Sequence, residues 1–324
     1  METAYEPKTL QEAIVYFSDP ANCRQYLVAH RWPTGVTCPR CGSDSVTFQE
    51  KYNRWQCGKK HELRQFTSKT GTIFEDSPLG LDKWLTAMWQ VVNCKNGISS
   101  YEIHRAIGVT QKTAWFMDHR IRVALGMATP DKFTGHVEAD ETFIGGKSRN
   151  MHAGKRAARI TGRGGNDKTA VMGILERNSE GKNSKVRTSV VPNRKKKTLH
   201  AEIKQHVEAG SALYTDFLLS YDGLEADYVH QVVDHAVEYV NGHAHTNGLE
   251  NFWSLLKRSI SGTYVSVEPF HLFRYLDEQT YRFNNRKMTD SERFSAAIDG
   301  IVGKRLTFEQ LTGKADKLLP VNLL

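Results

Sequence analysis

No apolar run in this chain of 324 residues approaches the roughly 20 residues that a membrane-crossing helix needs, so the sequence predicts no transmembrane segment and no membrane partner. The first residues, with Glu2 and Glu6 among them, lack the hydrophobic stretch of a secretory leader, and the expected location is cytoplasmic. Cysteine is scarce. Five residues, an odd number with three between positions 38 and 57, exclude the paired framework of a small secreted domain. No internal repeat is visible. Acid is also in short supply: 36 Asp and Glu face 44 Lys and Arg, and the resulting net charge of +8 favours an anionic partner such as nucleic acid.

What is present is a globular composition, 39% hydrophobic and 25% charged, which rules out disorder as the default. The length exceeds one typical core and predicts a multidomain α+β protein. Residues 1–35 form an N-terminal helical segment, with Thr9 and Glu12 as a capping box ahead of Ala13, Ile14 and Phe17. Residues 36–75 carry the cysteines among turn and strand formers, 80–128 are helical, 135–290 mix strands and helices, and 291–324 are assigned as a C-terminal tail. The main interruption is Gly145–Lys168, where Lys147, Arg149, Lys155, Arg156, Arg159, Arg163 and Lys168 face one acid, Asp167. Its glycines and lack of periodicity predict a basic loop, either solubilising or in contact with DNA phosphates.

Cys38-Pro-Arg-Cys41-Gly is a metal knuckle, and Cys57-Gly-Lys-Lys-His61 supplies a second pair of donors. Two thiolates and then a thiolate with an imidazole suit one tetrahedral structural Zn²⁺, whereas a redox CxxC would not need the second pair. The intervening "SDSVTFQEKYNRWQ" reads as a hairpin that lets the pairs meet, giving a zinc ribbon. His61 departs from the commoner second CxxC. Cys23 and Cys94 read as buried thiols.

Further on, Ser99 and Glu102 form a capping box, Gly108 stops that helix, and Thr110 caps the next. Two short helices joined this way resemble a helix-turn-helix, whose second helix would offer Gln111, Lys112 and Thr113 to a major groove. A plain helical bundle gives the same pattern.

The chemistry-bearing residues are carboxylates. In the strand "HVEADETFI" (136–144), alternation puts Glu138, Asp140 and Thr142 on one face and turns Glu141 away. Two more strands follow at 169–177 and 185–191, then a helix near 197–208, then "SALYTDF", where Asp216 ends an apolar run. A buried acid is costly unless it is solvated, paired or metal-bound. In "HTNGLENFWSLLKR" (245–258), Leu249, Phe252, Trp253 and Leu256 form a core-facing stripe, and Asn247, Glu250, Ser254 and Lys257 form a second one. That second stripe reads either as a solvated face or as part of a site. One mixed sheet with flanking helices would bring Asp140 and Asp216 onto neighbouring strands, with Glu250 reaching them from a packed helix. Three converging carboxylates repel unless divalent cations neutralise them. Two Mg²⁺ or Mn²⁺ ions about 4 Å apart can clamp the attacking and leaving oxygens of a phosphodiester. Lys257, two helical turns past Glu250, suits a phosphate contact. Glu138 shares the face of Asp140 and reads first as a structural acid, with an auxiliary ligand or base as the lesser alternative, and His243 and His245 read as capping or surface groups.

With these residues in view, the chain resembles the bacterial insertion-sequence transposases of the DDE class that carry an N-terminal zinc ribbon (ISXO-type). The resemblance rests on "CPRCG", "TGTIF" (70–74), "ADETFIGGK" (139–147), "YTDFLLSY" (214–221), "HTNGLENFWSLLKR" and "GTYVSVEPFHLFRYLDEQTYRFNNR" (262–286). It spans about residues 10–290, and the later blocks are the more specific. It implies a ribonuclease-H-like α/β core over 135–290, with Asp140, Asp216 and Glu250 as metal ligands and Lys257 as the basic partner. Because some relatives use asparagine as the third ligand, Asn247 rivals Glu250. The implied function is binding of an element's terminal repeats, metal-dependent strand cleavage and strand transfer into target DNA. The partners would be double-stranded DNA and further copies of the chain, in a nucleoid-associated bacterial cytoplasmic setting. The alternatives are a domesticated, non-catalytic DNA-binding regulator and a stand-alone metal nuclease of the same fold.

Overall fold

The computed structural model describes residues 5–126, 131–145, 154, 168–178, 183–233 and 245–314. The basic-loop residues Lys147, Arg149, Lys155, Arg156, Arg159 and Arg163 lie outside them, as does His243. Among the described residues, no helix is long and apolar enough to cross a membrane. The chain divides into two compact units, Met1–Gly126 with Met288–Leu324, and Met127–Lys287.

In the first unit, α1 (Leu10–Phe17) starts on Thr9, whose side chain accepts from the Glu12 N–H. Glu12 turns to the Lys8 N–H, so only half of the expected box forms. α2 (Pro20–Arg31) leads into a three-stranded ribbon, β1 (Val46–Gln49), β2 (Arg54–Cys57) and β3 (Gln65–Phe66), antiparallel throughout. Trp32, Trp55, Phe66, Cys38 and Cys57 make its small core. α3 (Leu81–Asn93), α4 (Ser100–Ile107) and α5 (Gln111–Leu125) follow. The Ser99–Glu102 box is complete, and Gly108 ends α4 in the left-handed region (φ +63°), a conformation that costs glycine least.

Within the stretch 291–324, the described residues 291–314 fold onto the first unit rather than forming a tail. Helix Asp290–Asp299 opens on a complete Thr289–Glu292 capping box, and Phe294 is fully buried. Its ring lies 5.0 Å from Trp89 and 5.8 Å from both Phe17 and Tyr26. Beyond it, Val302 bridges to Thr72, and Ile301 accepts the Ile73 N–H. Residues 290–302 therefore pin the "TGTIF" segment to the helices of its own unit.

The second unit is a five-stranded mixed sheet in the order β6-β5-β4-β7-β8. Its strands are β4 (His136–Ile144), β5 (Thr169–Glu176), β6 (Lys185–Val191), β7 (Ala212–Asp216) and β8 (Val229–Val233). The first three are antiparallel neighbours, while β7 and β8 join β4 in parallel. Strand alternation splits the apolar side chains into two cores. Val137, Ala139, Met172, Ile174 and Leu213 pack with Leu199 and Ile203 of α6 (Lys196–His206). Val171, Leu175 and Val186 pack with Leu249, Phe252, Trp253 and Leu256 of α7 (Asn247–Arg258) and with Leu276 and Phe283 of α8 (Leu272–Asn284).

Candidate active site and metal centre

The acidic residues meet because a parallel pairing fixes their level. His136 pairs with Ala212, Val137 with Leu213 and Glu138 with Tyr214. The ladder stops there, two residues short of Asp140 on one strand and of Asp216 on the other, so the equal count sets the two acids level, and the Asp216 charge adds to the rise of the Asp140 carboxyl. α7 is tied to the Asp140 face of β4 at two points. The Trp253 indole Nε1 donates to Asp140 Oδ2 at 2.9 Å, and the Leu249 N–H donates to Glu138 Oε2 at 3.0 Å. Gly173, across the ladder from Asp140, makes room for this: a Cβ there would lie 2.5 Å from the indole and 2.9 Å from Leu249.

Glu138 is 1% exposed, and its other oxygen accepts from Arg177 Nε at 2.8 Å. It therefore caps the first turn of α7 from the neighbouring strand, placing a carboxylate where the helix dipole favours one. His245 Nδ1 sits 3.4 Å from the same carboxylate, and the Arg177 guanidinium also donates to the His245 carbonyl. This ion-paired anchor, rather than a metal ligand or base, is what the geometry makes of Glu138. Glu141 faces the other way, as alternation requires. It accepts from the Tyr221 hydroxyl at 2.6 Å and pairs with Arg194 at 3.3 Å.

Glu250 and Lys257 are both exposed on α7, and Glu250 lies one turn before Trp253. Asn247, also exposed, is the first residue of that helix. The structure thus brings Asp140 and Asp216 to one end of the sheet and lays the Glu250 helix over the same face. Sequence reading missed Arg177, Tyr221 and Arg194, and took Trp253 as core alone. An arginine just past the apolar run of β5 was the available signal for the first of these.

Burial pushes the Asp140 carboxyl up to about 7, and the charges of Glu141 and Asp216 add to the rise against the bond from Trp253. The sign for stability follows directly. Between its ordinary value near 3.8 and about 7, folded Asp140 holds a proton that the unfolded chain has released, so stability falls as pH rises through that window. In protein free of Mg²⁺ but retaining its zinc, Asp140 should contribute a fall in melting temperature between pH 5 and pH 7.5. Asp140→Asn should flatten that part of the profile in scanning fluorimetry, and an unchanged slope in the variant would refute the assignment.

In the ribbon, the donor atoms of Cys38, Cys41, Cys57 and His61 all lie within 4.8 Å of one another. Cys38 Sγ is 3.5 Å from His61 Nε2, and Cys41 Sγ is 3.6 Å from Cys57 Sγ. Tetrahedral Zn²⁺ held at about 2.3 Å by thiolates spaces its ligand atoms roughly 3.8 Å apart, so this donor set fits a structural zinc. Gly42, in the left-handed region (φ +72°), closes the knuckle with its N–H on the Cys38 carbonyl. Burial raises the Cys38 thiol, but the Arg40 and Cys41 N–H groups together with the Cys41 and Cys57 thiols outweigh it and bring the thiol down to about 7, toward the thiolate that binds metal. Cys23 is buried as expected, its thiol pushed up to about 12, while Cys94 is half-buried.

The proposed recognition residues of α5 all have partners within their own unit. Gln111 donates to Ser100 at 2.9 Å, Lys112 lies 4.8 Å from the Phe308 ring, and Thr113 bonds Thr110.

Residues 132–284 match the family described as the ISXO2-like transposase domain, and residues 18–59 match the transposase zinc-ribbon domain. The first match spans Asp140, Asp216 and Glu250. The second holds Cys38, Cys41 and Cys57 of the donor set, together with Cys23, and stops short of His61. A protein of the transposable element ISH50 from Halobacterium salinarum is 30% identical over 247 residues, 72% of this chain and 81% of that relative. A transposase-like protein from Haemophilus influenzae is 35% identical over 105 residues, 32% of this chain and 85% of its own length.

Proposed function

This chain belongs to the ISXO2-like, zinc-ribbon-bearing family of insertion-sequence transposases, and from that premise we propose that Asp140, Asp216 and Glu250 form the site of DNA strand cleavage and strand transfer. The observation that carries the reading is the parallel β4–β7 pairing, which levels two acids under a helix hydrogen-bonded to one of them. The arrangement of three antiparallel strands continued by two parallel ones supports a ribonuclease-H-like core. Divalent ions bound there, Mg²⁺ or Mn²⁺, would polarise the phosphodiester and lower the pKa of the attacking hydroxyl group.

The chain's own residues supply the rest. Asp140 and Asp216 present a fixed pair of anionic oxygens, and Glu250 adds a third from the first turn of α7. Trp253 holds Asp140 in its rotamer, and Lys257 receives a phosphate two turns along the helix. In the first step a water oxygen bonds to phosphorus at the element end, the bond from phosphorus to the 3′ oxygen breaks, and the nucleophile's proton passes to solvent. In the second, the freed 3′ hydroxyl attacks a target phosphodiester and displaces its 3′ oxygen. The terminal repeats would be read by the ribbon and by α4–α5, with the basic stretch 147–168 on backbone phosphate. Pairing of two ends implies a homo-oligomer on DNA in the bacterial cytoplasm.

Purified protein given Mg²⁺, a duplex carrying the element end and a target plasmid should yield joined products, scored by sequencing across the junctions. Cleavage without joining would make it a nuclease, and binding without either a regulator.

A further inference from the structure

The ribbon hairpin has two ends, and the metal occupies only one. Val46 pairs with Cys57 at the base, beside the zinc donors, while Gln49 pairs with Arg54 at the far end, about 10 Å away along the strands. The far end is a tight tip, Glu50–Tyr52 in a 3₁₀ turn closed by Asn53 in the left-handed region (φ +48°). It puts Tyr52 into solvent at 57% exposure. Among the described residues, the Tyr52 hydroxyl meets no hydrogen-bond partner.

Cations gather around this ring. Arg54 lies 4.6 Å and Lys51 5.5 Å from the Tyr52 centroid. Arg24 of α2 donates to Asn53 Oδ1 at 2.8 Å and lies 5.1 Å from the centroid of Phe48, a second exposed ring on the same hairpin. Arg54 is also held by Gln49 at 3.0 Å. The one acid in the tip segment is Glu50, outnumbered by Arg24, Lys51 and Arg54. The tip is therefore braced from α2 and from β1, so its exposed aromatic and its cations are presented in fixed positions at little ordering cost.

We propose that the hairpin tip Lys51–Arg54, with Arg24, is a docking surface for duplex DNA: Lys51, Arg54 and Arg24 on backbone phosphates, and the Tyr52 ring on the adjoining sugar or base edge. This deepens the DNA-binding reading above and rests on it. A flat ring among cations matches a phosphate backbone lined by sugars and base faces, in which charge and stacking alternate over a few ångströms. The zinc then has a mechanical part: it fixes the base of the hairpin so that the tip is held out.

Fluorescence anisotropy of the full-length protein on a labelled duplex of the element end, repeated between 50 and 300 mM NaCl, tests this; each phosphate contact contributes roughly 0.9 to the salt slope. Lys51→Gln with Arg54→Gln should lower that slope by about 2. Tyr52→Ala should weaken binding about tenfold while leaving the slope unchanged. Zinc content and melting temperature should match wild type in each variant, which shows that the ribbon remains folded. Wild-type slope and affinity in all variants would overturn the proposal while leaving DNA binding elsewhere on the chain intact. A wild-type protein that binds no duplex would overturn the general reading with it. Unchanged DNA affinity with loss of self-association would make the tip a contact between copies and overturn it too.

Discussion

Replacing Asp216 by Ala is expected to abolish Mg²⁺-dependent cleavage and joining, a loss of about 10³-fold or more, while binding to the element end stays near wild type. The reason lies in the sheet. Asp216 ends β7, a strand that pairs in parallel with β4 through Tyr214, and Asp216 itself pairs with Val233 of β8, so the sheet fixes the backbone that carries this carboxylate. Removing it leaves Asp140 buried beside Glu141, with the repulsion reduced but with one fixed anionic oxygen fewer. Binding should persist because neither the ribbon nor α4–α5 uses this residue. Undiminished cleavage by the variant would rule out the site.

The same assay resolves the third acid. Glu250→Gln keeps shape and removes charge, and Asn247→Ala removes the rival one turn earlier on the same exposed stripe. Loss of cleavage in the Glu250 variant alone supports the assignment made here, and loss in the Asn247 variant alone reverses it.

How far this arrangement could be read from sequence follows from the range of each interaction. Alternation along β4 was legible, because a period of two is local: it put Asp140 and Glu138 on one face and turned Glu141 to the other, where Tyr221 and Arg194 hold it. The two stripes of α7 were legible for the same reason. Partners across the sheet were not. No local pattern announces that Gly173 lies opposite Asp140 or that its missing side chain lets the Trp253 indole come down on the strand. Arg177 and Glu138 are 39 residues apart, and their pairing depends on strand register. Edge strand β8 was overlooked, its short "VHQVV" being half exposed and unbounded by clear turn residues. The C-terminal helix is a different kind of miss. Thr289 followed by Glu292, and Thr307 followed by Gln310, are capping boxes written in the sequence, and both form.

Loss of zinc should be the second large effect, and it separates His61 from the cysteines. The ribbon's core is two tryptophans, one phenylalanine and two of the ligand cysteines, too little to fold a three-stranded unit unaided. Structural zinc in units of this size contributes apparent binding free energies of about 10–16 kcal/mol, most of which is folding free energy. Cys57→Ser removes a ligand and a core member together. It should drop zinc content from about one ion per chain toward none and expose Trp32 and Trp55, read as a red shift in tryptophan emission.

His61 departs by its CxxxH spacing from the commoner CxxC, but its environment suits a ligand. Its Nδ1–H donates to the Glu62 carbonyl at 2.5 Å, which fixes the tautomer and leaves the Nε2 lone pair toward Cys38 Sγ, 3.5 Å away. His61→Ala is therefore expected to weaken zinc binding by about 10²-fold in competition with a chromogenic chelator, a milder loss than in Cys57→Ser because the apolar core stays whole. Zinc affinity unchanged in His61→Ala would mean that three cysteines and some other donor complete the site, and the imidazole would then only cover it.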